Sequence, residues 1–510
     1  MPANAAAAAR ALAAGQAGIV WRRVIADSDT PVGAARRLIE PGRGDFLLES
    51  VEGGEVRGRY SLIGLDPDLI FRASGHEAAI NRRWREDREG FEPLGGDPLA
   101  QLRALADTCR IDLAPDDGEE PGLPPALACL VGYFGYETIG LVETLPRAPQ
   151  SALELPDMLF VRPAVILIFD GLADTLHCAA PIWPEAANSA DPAGAIARAG
   201  ERIDATLAAL SASRPPEPRL EPANAQLELE PQIAESHYKA MVARAKDYIL
   251  SGDIFQVVLA QRFTCPFALP PLALYRALRR VNPSPFLYFL DLPGFAIVGS
   301  SPEILVRVRH GEVTIRPIAG TRPRGLTREA DLAAEQSLLA DPKERAEHLM
   351  LLDLGRNDVG RVAARGSVTV TDSFAIERYS HVMHIVSNVV GELAEERDAI
   401  DALLAGFPAG TVSGAPKIRA CEIIAELEPE TRGAYAGGVG YFAPDGSLDS
   451  CIVLRTAVVK DGVMHVQAGA GIVADSDPAY EAAECRAKAS ALIAAAREAV
   501  RLAGEPEYGQ

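Results

Sequence analysis

The chain has 510 residues, of which 48% are hydrophobic, and its 50 Lys and Arg against 70 Asp and Glu give a formal net charge of −20. This length and apolar content predict two to four domains or one large composite fold with a substantial core. The acidic balance argues against nucleic acid or an anionic membrane as the main partner. An anionic small substrate would therefore need a metal ion or a local group of basic side chains.

The seven cysteines are scattered, without a Cys-x-x-Cys pair or a regular spacing. This pattern predicts neither a disulfide framework nor a zinc site, and it favours a reducing cytoplasm. Residues 1–16 are rich in alanine but lack the basic start and apolar centre of a secretion signal, so we interpret them as a flexible tail. No apolar run approaches the roughly 18 residues that a membrane span needs.

Residues 17–211 are predicted to form one domain of strands and turns, with helices near 97–106 and 195–211. The following stretch, 212–231, is rich in proline and acidic residues and is predicted to be a linker. A domain boundary is therefore expected there.

The second domain is predicted to span 232–503, with a short tail at 504–510. Its first segment has apolar residues at helical spacing, and a later one alternates on both sides of His310-Gly311, as a β-hairpin does. These patterns indicate an α+β fold with long sheets and packed helices.

Two Glu-x-x-Glu pairs, Glu344 with Glu347 and Glu481 with Glu484, lie about 140 positions apart, each on a predicted helix. Residues three apart share one helical face, so two such helices could present four carboxylates across a cleft. Carboxylate oxygens suit a hard divalent cation such as Mg²⁺ that bridges the protein to an anionic substrate. The competing interpretation of each pair is a solvated helix surface.

Six ordered motifs within about 170 residues resemble the chorismate-utilising enzyme family, and LLESVEGG, GRYSLIG and NPSPFLYFL resemble its anthranilate synthase component I branch. The six are PIAGTRPRG, KERAEHLMLLDLGRNDVGRV, FPAGTVSGAPKIRA, AYAGGVGYF, CIVLRTA and QAGAGIVADSDP. The resemblance covers nearly the whole chain from residue 17. It implies a large composite α+β fold with extended antiparallel sheets packed face to face and flanked by helices.

The resemblance also implies a metal site and a substrate. Glu347 and Glu484 would bind Mg²⁺, which would hold the ring carboxylate of chorismate, with Glu344 and Glu481 nearby. The other implied substrate contacts are Gly320, Thr321, Tyr435, Arg455, Gly469, Ala470, Gly471 and Lys488. Arg455 and Tyr435 would hold the enolpyruvyl carboxylate, whereas Lys488 is either a carboxylate partner or only an i,i+4 ion pair of Glu484.

Three residues match catalytic positions of the family. Glu303 would be the general acid that protonates the departing C4 hydroxyl, His384 would lie beside the ring, and Thr411 would line the same pocket. The competing interpretation of Glu303 is a surface glutamate at the start of a strand, and that of His384 is a structural histidine. If the segment around His384 is a strand, its neighbour His381 points the other way.

Two positions favour ammonia as the nucleophile at C2. Family members that add water have a lysine base where this chain has Gln256, and aminodeoxychorismate synthases commonly have a lysine nucleophile where this chain has Ala319. The resemblance therefore implies conversion of chorismate and ammonia to anthranilate and pyruvate. The alternatives are aminodeoxychorismate synthase component I and a non-catalytic ligand-sensing relative.

The resemblance implies two further partners. No cysteine lies in a glutaminase-type nucleophile turn, so ammonia would come from a separate glutaminase subunit, in a heterotetramer of two large and two small subunits. Tryptophan is the expected inhibitor of the N-terminal domain. Its site would be formed by Glu49, Ser50, Pro283, Ser284 and Pro285.

Overall fold

The structure, a computed structural model, describes residues 2–52, 56–113, 123–124, 126–212, 227–379 and 382–504. Most of the predicted linker, His381 and the tail beyond residue 504 lie outside the described residues. The helices are α1 Ala5–Ala13, α2 Pro31–Leu38, α3 Pro98–Thr108, α4 Ala186–Ala190, α5 Pro192–Ser211, α6 Glu235–Leu250, α7 Pro271–Val281, α8 Arg328–Ala340, α9 Pro342–Gly360, α10 Ala399–Gly406, α11 Lys417–Leu427 and α12 Pro478–Ala503, with 3₁₀ turns at Tyr136–Leu141 and Gly410–Val412.

The strands make up two large sheets, in which every strand pair is antiparallel. They are β1 Gly18–Ile25, β2 Asp45–Glu52, β3 Val56–Leu65, β4 Leu69–Ser74, β5 Glu77–Asn81, β6 Glu92–Leu94, β7 Leu130–Phe134, β8 Met158–Arg162, β9 Val165–Asp170, β10 Thr175–Ile182, β11 Glu230–Pro231, β12 Gln256–Pro266, β13 Phe286–Leu292, β14 Phe295–Ser301, β15 Ile304–Arg309, β16 Glu312–Ile315, β17 Ile318–Pro323, β18 Thr369–Arg378, β19 Val382–Glu392, β20 Gly414–Ala415, β21 Gly438–Phe442, β22 Leu448–Ile452, β23 Thr456–Lys460 and β24 Val463–Ile472.

The first sheet has the order β1-β10-β9-β3-β2-β13-β14-β23-β24-β12-β11, and β20 also pairs with β12. The second has the order β17-β19-β16-β15-β22-β21-β7-β8-β4-β5-β6, and β18 also pairs with β19. The sheets pack face to face over one continuous apolar core, in which Tyr133 of β7 meets Phe295 of β14 edge-on at 6.0 Å between ring centroids. The predicted fold class is confirmed.

Both sheets cross the boundary that the linker suggested. In the first sheet β2 pairs with β13, so that Glu49 lies opposite Leu287, and in the second β7 pairs with β21. The proline-rich stretch therefore separates two parts of the chain that share both sheets, because each part contributes strands to each sheet. Sequence composition marks breaks along the chain but does not show which strands pair.

The alanine-rich opening is not a flexible tail throughout, since residues 5–13 form α1 and pack against β1. Ala8 and Leu12 are four residues apart, lie on one helical face and are almost fully buried. A Cβ on Gly18 would lie only 3.0 Å from Ala8, so glycine permits this close approach. A stripe of small side chains was enough to dock a helix that is weak on its own.

The two carboxylate-bearing helices, α9 and α12, begin in the same way. Asp341 caps α9 and Asp477 caps α12, and in both a proline occupies the first turn. Glu344 and Glu481 consequently lie in the first turns, where the helix dipole favours negative charge. The second glutamate of each pair follows one turn later on the same face.

Candidate active site

Glu303 lies in the short connection between β14 and β15, with only 7% of its surface exposed. Burial raises its pKa to about 8, against the opposing hydrogen bonds from Thr411 and the Ile318 backbone. The Thr411 hydroxyl donates to a carboxylate oxygen of Glu303 over 3.3 Å. At neutral pH this carboxyl therefore carries a proton, as a general acid must.

His384 on β19 faces the bulged part of β17. Its Nδ1–H donates to the Gly320 carbonyl at 2.9 Å, and the Thr321 hydroxyl lies 3.1 Å from the same nitrogen. Since a carbonyl only accepts, this contact fixes the tautomer and leaves Nε2 with a free lone pair. Burial, and secondarily the charge of Arg455, lowers the pKa of His384, which keeps the ring neutral.

Gly320 interrupts the register of β17 with β19 and has a φ of 69°. A Cβ at this position would lie 3.0 Å from Leu338 and 3.1 Å from the Glu344 carboxylate. Glycine is therefore required by both backbone conformation and space, and its carbonyl is free to orient His384.

Arg455 follows β22 with a φ of 48°, a conformation that non-glycine residues rarely adopt. Its side chain has no hydrogen bond or ion pair within the described residues, and burial lowers its pKa. Arg455 is half-buried, and a partly desolvated guanidinium gains from an anionic ligand that accepts its hydrogen bonds. Tyr379, whose ring is 5.5 Å from that of His384, also couples electrostatically to Arg455 and Glu303, so these groups share one region.

The segment from Gly469 to Gly471 lies inside β24, with Ala470 fully buried. On β12, Val258 faces Gly471 and Ala260 faces Gly469. The N–H groups of Val258 and Ala260 nevertheless donate elsewhere, to the Ser413 carbonyl and the Glu428 carboxylate. These are thus non-hydrogen-bonded pairs of the ladder, in which the N–H groups of both glycines point away from β12. Beyond Val466, β23 does not cover this edge of β24.

The open edge of β24 also adjoins Tyr435. A Cβ on Gly469 would come within 2.7 Å of the Tyr435 hydroxyl, so glycine lets the tyrosine and the strand edge meet. Two backbone donors and a phenol are therefore placed together beside a strand that pairs with the well-ordered core of the first sheet. Such a group of donors suits an anionic oxygen-rich ligand.

The four glutamates of the carboxylate helices differ in their partners. Arg322 pairs with Glu344 at 2.9 Å, and Lys488 pairs with Glu484 at 2.7 Å. The Lys488 ammonium also donates to the Gly469 carbonyl at 3.0 Å, which links α12 to the open edge of β24. The i,i+4 ion pair of Lys488 is thus present in the structure.

Neither Glu347 nor Glu481 forms an ion pair with a described residue, although Lys343 and Lys488 act on both from a distance. Burial raises the pKa of Glu347, with further contributions from Glu344 and Glu484 on the two helices. Burial raises the pKa of Glu481 as well, although a hydrogen bond with Ser476 opposes the shift. The repulsion between Glu347 and Glu484 shows that the two helices bring their carboxylates within electrostatic range of each other.

The residues fit a divalent cation by their chemistry. Among the described residues, no three His, Cys, Asp or Glu side chains converge closely enough to form a metal site. The same two helices nevertheless present four carboxylates, and cations already hold two of them in place. A divalent ion would offset both the burial that chiefly raises the pKa of Glu347 and the smaller repulsion from Glu344 and Glu484.

A buried ion pair that sequence reasoning missed supports this region. Arg432 and Glu428 are 1% and 2% exposed and pair at 2.5 Å. Arg432 also donates to the carbonyls of Val412 and Val258, while Glu428 accepts from Ala260. The pair thus connects β12 to the turn that carries Thr411, the hydrogen-bond partner of Glu303. Its i,i+4 spacing was visible in the sequence, but such pairs are common on solvated helices.

Gln256, at the start of β12, is 5% exposed, and its side-chain oxygen has no hydrogen-bond partner in the described residues. A Cβ on Gly471 would lie 2.6 Å from the Gln256 amide nitrogen, so this side chain packs against β24 at Gly471. Ala319 is 8% exposed on β17 and offers no nucleophile. Neither residue can act as a base.

A separate cavity of about 770 Å³ lies between the sheets and is lined by Glu49, Ser50 and Pro285. Ser284 is buried, and neither it nor Pro283 lines this cavity. The Glu49 carboxylate is held by Tyr275 at 2.5 Å and by Arg279 at 3.0 Å, so it forms part of the cavity wall and is already satisfied. Tyr379 lines the same cavity and contacts His384 on its other side.

Residues 47–494 match the model of a family described as chorismate binding enzyme. The chain belongs to this family of chorismate-binding enzymes. It is 55% identical to anthranilate synthase component 1 of Cereibacter sphaeroides, over 95% of this chain and 96% of that protein. It is 46% identical to anthranilate synthase component 1 of Thermus thermophilus, over 92% and 96% of the two chains.

Solved structures agree with these relatives. The crystal structure of anthranilate synthase component I from Streptococcus pneumoniae TIGR4 superposes with a TM-score of 0.74 at 35% identity, covering 92% of this chain and 99% of that one. Isochorismate synthase from Escherichia coli, at 20% identity and a TM-score of 0.66, shares the fold. Among the residues that the structure describes, no helix is long and apolar enough to cross a membrane.

Proposed function

We propose that the chain is the large, aminase subunit of anthranilate synthase, which converts chorismate and ammonia to anthranilate and pyruvate. The observation that carries the proposal is the combination, in one region, of a protonated Glu303 and an Arg455 that has no ion pair among the described residues. Chorismate needs an acid for its departing hydroxyl and cations for its two carboxylates. The names of the curated relatives support the same reaction.

The binding groups divide the substrate between two ends of the site. Arg455 and Tyr435 hold the enolpyruvyl carboxylate, and the N–H groups of Gly469 and Gly471 bond to substrate oxygens at the open edge of β24. Glu347 and Glu484, with Glu344 and Glu481 beside them, hold Mg²⁺. When bound, the ion supplies positive charge for the ring carboxylate.

The proton transfers fall to Glu303 and His384. Glu303 donates its proton to the C4 hydroxyl as it leaves, and Thr411 keeps the carboxyl in position through its hydrogen bond. His384, neutral and with Nε2 unprotonated, suits the later removal of the C2 proton, since Gly320 fixes its tautomer. Loss of pyruvate then gives the aromatic product.

Ammonia is the nucleophile because the chain has Gln256 at the position where family members that add water have a lysine base. Gln256 cannot take a proton from water, whereas its unpartnered amide oxygen can accept a hydrogen bond from ammonia. Ala319 stands where aminodeoxychorismate synthases commonly have a lysine nucleophile, and an alanine cannot form a covalent adduct with the substrate. The chain works with a separate glutaminase subunit in a heterotetramer. The complex lies in the cytoplasm, a reducing compartment that is consistent with seven buried cysteines that form no disulfide.

Tryptophan is the proposed inhibitor and the 770 Å³ cavity is its site. The cavity combines apolar side chains with hydrogen-bonding groups, as an amino acid with a large indole ring requires. Tyr379 forms a wall shared with the active site, so a ligand that moves this ring also disturbs His384. A rate that stays constant at saturating tryptophan would refute this part of the proposal.

The deciding experiment identifies the product. Purified protein with chorismate, ammonium and Mg²⁺ should yield fluorescent anthranilate without a partner subunit, and chromatography should show no accumulation of 4-amino-4-deoxychorismate. Glu303→Gln should abolish anthranilate formation, whereas Glu395→Gln, at an exposed turn, should leave the rate unchanged. Accumulation of the aminodeoxy compound would replace the proposed function with that of aminodeoxychorismate synthase, and binding of chorismate without turnover would indicate a ligand-sensing relative.

A further inference from the structure

A second polar cavity lies in the N-terminal part of the chain, and none of its lining residues belongs to the candidate active site. It has a volume of about 180 Å³ and lies between α5, the end of β10 and the connection from β5 to β6. The five arginines that line it are Arg82, Arg83, Arg85, Arg198 and Arg202. We name it the arginine cavity. In a chain with a net charge of −20, such a local excess of cations is unexpected.

Two carboxylates that line the arginine cavity, Asp68 and Glu185, pair with an arginine outside it. Asp68 accepts two hydrogen bonds from Arg162, at 2.8 and 2.9 Å, and Glu185 pairs with the same arginine at 3.2 Å. Arg162 is not a lining residue, so both carboxylates are used outside the cavity. Glu86 is exposed at the cavity mouth. Arg85 pairs with Asp66 at 2.9 Å and Arg198 lies 3.9 Å from Asp191, whereas Arg82, Arg83 and Arg202 have no ion pair within the described residues. The charge of these three arginines therefore lacks a paired carboxylate.

Two buried donors of the cavity are also unsatisfied. The Nε–H of Arg202 has no hydrogen-bond partner within the described residues, and its Nη2 is 3.5 Å from the Pro181 carbonyl, at the limit of a hydrogen bond. Trp183 is 3% exposed, and its indole N–H likewise lacks a partner there. Burial, and after it the charges of Arg85 and Arg198, lowers the pKa of Arg202 against the opposing charges of Asp68 and Asp66.

Unsatisfied buried donors are rare, because each costs about 1–3 kcal/mol. The Arg202 Nε–H and the Trp183 indole N–H are both donors, which a water molecule could satisfy. A neutral water would, however, leave the repulsion between the arginines in place. An anion would satisfy both the donors and the charge. Guanidinium groups match the oxygens of phosphate in particular, since they donate two parallel hydrogen bonds.

We propose that the arginine cavity binds a small oxyanion of the phosphate class, either inorganic phosphate or the phosphate group of a monoester. Arg202 and Trp183 are the buried donors, and Arg82 and Arg83 attract the anion at the mouth. The bound anion joins α5 to the strands of both sheets that surround the cavity. This site is independent of the reaction proposed for the chain.

The test measures thermal unfolding and calorimetric binding of the full chain with inorganic phosphate, against chloride at equal ionic strength. Phosphate should raise the unfolding temperature saturably, and chloride should not. Arg202→Met should weaken phosphate binding at least about 10-fold, the effect of losing one charge-assisted hydrogen bond. The matched control is Arg356→Met, since Arg356 is exposed and pairs with Asp353 far along the chain.

The remaining outcomes also decide the proposal. If Arg202→Met fails to fold, Arg82→Gln with Arg83→Gln serves instead, because both side chains are exposed, and the doubly substituted chain should bind phosphate more weakly. Glycerol phosphate that binds more tightly than inorganic phosphate identifies a monoester as the ligand, and the reverse order identifies the free ion. A phosphate response no greater than that of chloride, or equal in Arg202→Met and the parent chain, overturns the proposal.

Discussion

Replacing Thr411 by valine tests whether Glu303 is the general acid. The change keeps the side-chain volume but removes the hydroxyl that donates to the Glu303 carboxylate over 3.3 Å. This hydrogen bond favours the ionised form, so it holds the pKa of Glu303 below the value that burial alone would produce. Without it, the pKa of about 8 should rise further.

The size of the shift follows from the strength of the hydrogen bond. A hydrogen bond contributes about 0.5–1.5 kcal/mol, and one this long belongs to the lower half of that range. Since one pKa unit corresponds to about 1.4 kcal/mol, the shift should be roughly half a unit upward. A general acid works only while protonated, so activity is present below the pKa of Glu303 and is lost as pH rises through it. The alkaline limb of kcat/KM should therefore move to higher pH.

The assay follows anthranilate fluorescence from chorismate across a pH series in which the concentration of free ammonia, rather than total ammonium, is held constant. Thr411→Ser is the matched control, because it retains the hydroxyl and should keep the limb near that of the parent chain. An alkaline limb that is unchanged or moves to lower pH in Thr411→Val would refute the reasoning. So would a Glu303→Gln chain that retains the limb.

Three further predictions concern the rest of the site. Arg455→Met should raise the KM for chorismate about 10- to 100-fold by removing a charge-assisted contact, with kcat changed less, as steady-state kinetics would show. Glu484→Gln should weaken Mg²⁺ binding, measured by calorimetry with chorismate present. The loss should exceed the roughly 10- to 100-fold that is typical when a residue behind a metal ligand is changed. Glu344→Gln should have the smaller effect, because Arg322 already pairs with that carboxylate. Arg432→Met should lower the free energy of unfolding in urea by about 3–5 kcal/mol, since it leaves Glu428 buried and unpaired, and the double substitution with Glu428→Gln should recover part of the loss.

Much of the local structure follows from the sequence. The hairpin at His310-Gly311 forms as predicted, because alternation and a turn of two residues with positive φ are local signals. The starts of α9 and α12 are equally local, since a capping aspartate followed by proline acts within one turn. The motifs likewise predicted the family, which the relatives confirm.

Other features depended on which distant segments meet. The sharing of both sheets by the two parts of the chain, and the docking of α1, required knowledge of strand pairing and of neighbouring surfaces. Sequence spacing identified Glu344 and Glu347 as a pair, but only the structure showed that Arg322 pairs with Glu344 and that Glu347 has no ion pair among the described residues. Which groups are paired depends on contacts between residues far apart in the chain.

The sequence by itself determined the strands, the helix starts, the identity of the chemical groups and the absence of a base at Gln256 and Ala319. Tertiary structure alone decided the state of those groups. Burial sets the proton on Glu303, and a single carbonyl sets the tautomer of His384. Arg455 has no acceptor among the described residues and is therefore available for an anion. The physical reason is that residue type is a local property, whereas desolvation and hydrogen bonding depend on the surroundings that folding creates.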